Sequence, residues 1–139
     1  MSRPAAAADP LRATAEAAWN VLERIADPCS TAVGAPAGLV SMGLVLDVSV
    51  GGTPHAATVS VRLGLTEPGC LMQGIFSAAA EREIQALPGV ADVVVHIDHG
   101  HVWDRDDMAA GYRARLAALR DERRLRAART LDHHRPPAL

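Results

Sequence analysis

Cys70 closes the turn Thr66-Glu67-Pro68-Gly69-Cys70, where an alternating apolar run gives way to helical spacing. A thiol at a helix start meets unpaired backbone N–H groups that favour negative charge, so Cys70 should ionise more readily than free cysteine. Gly69 lets the chain take a positive φ and approach a bound ion or partner closely. The Thr66 hydroxyl can cap the turn or bond a ligand. A buried cysteine that merely fills space is the competing reading, and spacing alone does not separate the two.

The second cysteine, Cys29, follows Asp27 and Pro28 in a turn of its own. Thiolates suit iron–sulfur clusters, zinc and copper(I), while carboxylates suit harder ions. Two cysteines do not complete a four-ligand site. Either Asp27 or a histidine assists, or two subunits share a cluster, or metal is held transiently. A redox-active disulfide is the alternative, against which stands the absence of C-x-x-C spacing. His96, His99 and His101 lie within six residues, and His99 and His101, two apart, can point the same way to take a metal; the plainer reading is a solvated loop. No Ser-His-Asp arrangement, paired-carboxylate motif, phosphate loop or dinucleotide fingerprint is present, so no enzyme is expected.

These residues need elements to hold them. Leu11, Ala15, Ala18, Leu22 and Ile25 recur on one helical face, and Pro28 is expected to stop that helix, with 29–38 a loop by composition. Leu44, Leu46, Val48 and Val50 alternate with polar or outward residues, as do Ala57, Val59, Val61, Leu63 and Leu65, giving two strands joined through Gly-Gly-Thr-Pro-His. Met72, Phe76, Ala80, Ile84 and Leu87 form a second helical stripe ended by Pro88-Gly89. Val93, Val95 and Ile97 mark a third strand, with His96 outward beside Val94. The order helix-strand-strand-helix-strand predicts an α+β fold, a two-layer α/β sandwich with both helices on one face of a small three-stranded sheet. A C-terminal helix from Asp106 to about Leu131, capped near Asp104, carries Tyr112, Leu116 and Leu119 as a docking stripe, and its second half is expected to project.

The 139 residues fit one compact domain with tails: a flexible leader at 1–10, the α/β domain at 11–110, and an arginine-rich helix and tail at 111–139. The net charge of −2 hides an asymmetry, six arginines against thirteen acids up to Ala110 (−7) and eight arginines against three acids beyond it (+5). All 14 basic residues are arginine, a usage typical of a GC-rich bacterial genome. Acidic interruptions and an aromatic content of 3% argue for a solvated or protein-docking helix face over nucleic-acid binding. No apolar run is long enough to cross a membrane, and the N-terminus lacks a secretory pattern, so a cytoplasmic location and reduced thiols are expected.

The stretch from Asp27-Pro28-Cys29 through Met42-Gly43-Leu44-Val45, the Thr66–Cys70 turn, Leu87-Pro88-Gly89-Val90, and Trp103 followed by Asp107-Met108 resembles the MIP18-like (DUF59) family over roughly Leu11 to Arg115. The resemblance implies a two-layer α/β domain and a non-catalytic role in assembling metal–sulfur, especially iron–sulfur, clusters. Cys70 falls on that family's functional cysteine and Thr66 on the threonine of the same turn. Cys29 stands where the family carries glutamate, so a soft ligand replaces a carboxylate and a specialised branch is implied. The implied cargo is iron or an iron–sulfur cluster held transiently by Cys70, with Cys29 and Asp27 assisting. The implied partner is an iron-dependent client, for which a multicomponent oxygenase is one candidate, and a homodimer is compatible with shared ligation. The other reading is a small interaction or regulatory subunit of an oxygenase complex that binds no metal.

Overall fold

The structure, a computed structural model, describes residues 9–66, 73–134, 136 and 138, Gln73 by its backbone alone. The expected flexibility of the leader therefore falls mostly outside the described residues, as do Gly69, Cys70 and the start expected for the second long helix.

The chain forms α1 (Arg12–Arg24), α2 (Pro28–Ala32), β1 (Val45–Thr53), β2 (Ala56–Leu63), α3 (Gln73–Gln85), β3 (Val90–Ile97), a 3₁₀ turn (Arg105–Asp107) and α4 (Ala110–His133). The strand order is β1-β2-β3, with β1 antiparallel and β3 parallel to the central β2. A parallel pair needs a crossover, which the α3 segment supplies. Helices α1 and α3 lie against the sheet and each other. Between the layers lie Ala18, Val21 and Leu22 from α1, Val59, Val61 and Leu63 from β2, and Phe76, Ala80 and Ile84 from α3. The expected α+β two-layer arrangement is present. Strand β2 alternates buried Ala57, Val59, Val61 and Leu63 with exposed Thr58, Ser60 and Arg62, as the period-2 pattern requires.

Four local expectations change. Helix α1 ends at Arg24, before Pro28, and Pro28 opens α2 instead of stopping a helix. A proline at the first helical position loses only an N–H that would be unpaired there, so the same residue serves as a start signal. In β1 a register shift between Val45 and Asp47 leaves Leu46 as an extra residue, and Val45, opposite Leu63, packs on the core in its place. The hairpin turns at Pro54-His55, with Gly51 and Gly52 at the end of β1. Finally, the C-terminal helix is two pieces. Asp104 and Asp107 form a reciprocal capping box around the 3₁₀ turn, Met108 is extended, and α4 begins only at Ala110.

Candidate functional site

Asp27 is extended and 1% exposed, and its carboxylate caps α2 by accepting the Ser30 N–H at 2.9 Å. Its own N–H donates to the Ala37 carbonyl at 2.8 Å. The Ser30 hydroxyl donates to the Asp27 carbonyl at 2.6 Å and accepts the Ala37 N–H at 2.9 Å. Each buried polar group of this turn that is named here has a partner, which is the condition for burying it. Pro28 and Ser30 are thereby fixed, and Cys29 between them is exposed.

Cys29 opens onto a groove of about 320 Å³. Met42, Trp103, Met108, Leu116 and Leu119 give it an apolar lining, and Arg105, Arg120 and Arg123 stand around it. Three donors hold α4 here: the Tyr112 hydroxyl donates to the Ala35 carbonyl at 2.7 Å, Arg123 to the Val33 carbonyl at 2.7 Å, and Arg115 to the Pro36 carbonyl. Burial raises the Tyr112 pKa above 10.0, keeping the phenol a donor. The docked part of α4 thus reaches Arg123, while Leu125 and Leu131 beyond it are exposed.

Thr66 lies just past β2 beside a second, smaller cavity of about 100 Å³, shared with Asp98, His99, His101 and Trp103. His101 Nε2 lies 3.0 Å from an Asp107 carboxylate oxygen. The Asp104 backbone N–H, followed by this histidine, holds the Asp107 carboxyl below its ordinary 3.8. At Asp98 the Gly100 N–H is the largest cause of a similar lowering, with Arg62 contributing. Among the described residues, no three His, Cys, Asp or Glu side chains converge as metal ligands. His99 and His101 border the same cavity, but the His101 ring already engages Asp107.

Trp103 lines both cavities, and its indole N–H donates to the Met42 carbonyl at 2.6 Å. The Cys29 turn and the Thr66 strand end therefore flank one indole. Gly43 makes this possible: at φ +73° it passes so close to Asp107 that a Cβ would overlap that residue's backbone. Cys70 and Gly69 lie outside the described residues, so the approach of the two cysteine sulfurs is a matter for experiment. Sequence reasoning did not anticipate the groove. Its signal is the continuation of Leu116 and Leu119 into Arg120 and Arg123 at helical spacing, a pattern equally compatible with a solvated or a protein-docking face.

The sequence profile described as "Iron-sulfur cluster assembly protein" matches residues 15–97, more than half of the chain. The chain belongs to this iron–sulfur cluster assembly family. The DUF59 likeness extends to solved structures. A domain of unknown function from Bacillus anthracis aligns with a TM-score of 0.62 at 21% identity, covering 76% of this chain and 93% of its own. A conserved hypothetical protein from Thermotoga maritima aligns with a TM-score of 0.52 at 26% identity, covering 73% and 91%. No curated protein matches. Both solved structures are matched over almost their whole length, so the two-layer domain is the shared unit. Within the family's matched region lie α2 and Cys29, whereas Trp103, Arg105 and all of α4 follow its end at Ile97.

Proposed function

We propose that this chain is a non-catalytic maturation factor that holds iron or an iron–sulfur cluster transiently and passes it to an iron-dependent client. Family membership carries this reading. In it, Cys70 supplies the principal thiolate and Cys29 a second soft donor. Asp27 supports Cys29 by fixing the turn, and Thr66 and Gly69 shape the approach to Cys70. The cluster is cargo: client thiolates displace those of this chain, an exchange of ligands without net redox change at the protein. The Asp-Pro-Cys sequence, with cysteine in the place of glutamate, favours a branch dedicated to one client, for which an oxygenase component is the candidate. Trp103, bordering a cavity with Cys29 on one side and one with Thr66 on the other, supports action of the two turns at one rim.

Anaerobic reconstitution with iron and sulfide, followed by absorption spectra and metal analysis, tests the proposal. Wild type should gain a thiolate-to-iron charge-transfer band and yield cluster to an apo iron protein. A chain that never takes up metal under these conditions would favour the other reading, an interaction subunit. The apolar, arginine-edged groove is the observation that keeps that reading alive.

A further inference from the structure

The groove beside Cys29 combines two properties that seldom coincide on a free surface. Its lining is apolar, with Met42, Trp103, Met108, Leu116 and Leu119 contributing. Its charged lining residues are all arginines: Arg105, Arg120 and Arg123, with no carboxylate among the described lining residues. Neither Arg105 nor Arg120 forms an ion pair with any described residue, although residues 1–110 carry an excess of seven acids over arginines. Arg123 gives one N–H to the Val33 carbonyl and forms no ion pair with any described residue. Among the described residues, no carboxylate pairs with any of these three guanidinium groups.

We propose that this groove docks a short segment of a partner protein that carries large apolar side chains flanked by carboxylates. The apolar side chains would displace water from the methionine and leucine lining, which adapts readily because thioethers are flexible and polarizable. The carboxylates would meet Arg105 on one side and Arg120 and Arg123 on the other, in charge-assisted hydrogen bonds. A volume of about 320 Å³ is at the small end of ligand pockets and suits a few side chains better than a whole helix. Nucleic acid fits less well, because the lining offers leucine and methionine where bases would need stacking surfaces. Most of this lining lies beyond the end of the family match at Ile97. The proposal goes beyond metal handling, and it is tested on metal-free protein so that its failure and the failure of that reading are separate.

Fluorescence anisotropy with four labelled synthetic peptides provides the test: aspartate–leucine, asparagine–leucine, lysine–leucine and aspartate–serine, beside a single-stranded oligothymidylate. The aspartate–leucine peptide should bind at micromolar concentration, with affinity falling as salt rises. The other three peptides should bind at least about tenfold more weakly. The double variant Arg105→Glu/Arg120→Glu, both on exposed side chains, should lose about tenfold or more for that peptide. Arg124→Glu/Arg129→Glu makes the same change of net charge outside the groove and should lose much less. Circular dichroism confirms that both variants fold. Equal losses in the two variants, no aspartate–leucine binding up to about 1 mM, or tighter binding of the oligothymidylate would each overturn the proposal.

Discussion

Asp27 and Cys29 divide two tasks that are easily confused when read from sequence. The Asp27 carboxylate already accepts the Ser30 N–H and is almost fully buried, whereas the Cys29 side chain faces the groove. If Asp27 acts by holding the turn, Asp27→Asn should melt within about 1 kcal/mol of wild type, since asparagine caps as well as aspartate. Asp27→Ala should lose about 1–2 kcal/mol by urea unfolding, and metal retention by the Asn variant should match wild type. Loss of metal from a stable Asn variant would make Asp27 a ligand. Cys70→Ser should abolish metal retention and client activation, because a hydroxyl supplies no thiolate at neutral pH. Cys29→Glu should keep the fold and part of the function with a harder-ion preference, measured by metal content after reconstitution. Asp107 adds a pH dependence. Its folded carboxyl sits below 3.8, so its contribution to stability is complete above that value and is lost as pH falls through and below it. Unfolding of Asp107→Asn followed between about pH 5 and pH 2 should therefore vary less with pH than that of wild type.

Elements were legible wherever one strong period ran uninterrupted. Strand β2 alternates without a break, and both its boundaries and its inward set follow from the sequence to within two residues. Strand β1 carries the same kind of pattern, yet its bulge exchanges Leu46 for Val45, because alternation does not record an inserted residue. Helix α2 was hidden since five residues give no period, and its evidence is a cap and a proline that also read as a stop. The break at Met108 was hidden for a related reason: two capped segments in succession resemble one helix from Asp106 onward. The groove depended on where α4 lies across the domain, which no local pattern specifies. At this scale Leu22→Ala should cost about 2–5 kcal/mol by denaturant unfolding, because Leu22 is fully buried between α1 and the sheet. Tyr112→Phe should cost about 1 kcal/mol, since it leaves the buried Ala35 carbonyl without its donor.

Over the whole molecule, the domain and the C-terminal helix carry opposite charge, and among the described residues α4 is hydrogen-bonded to the domain as far as Arg123. Removing Arg120 to Leu139 takes away the projecting half and the Arg123 bond but leaves Tyr112, Leu116 and Leu119 in place. The truncated chain should melt within a few degrees of wild type by calorimetry and lose affinity for its partner. A chain that fails to fold after this cut would put the domain boundary further along α4. The way α4 is held has another consequence. Tyr112, Arg115 and Arg123 all donate to main-chain carbonyls, those of Ala35, Pro36 and Val33. A carbonyl is present whatever side chain it belongs to, so these three hydrogen bonds do not depend on which side chains stand at positions 33, 35 and 36. The exposed Val33 position is then open to change by mutation without unseating it. Because Val33 also borders the groove, the chain can vary what it selects there while keeping the scaffold that presents it.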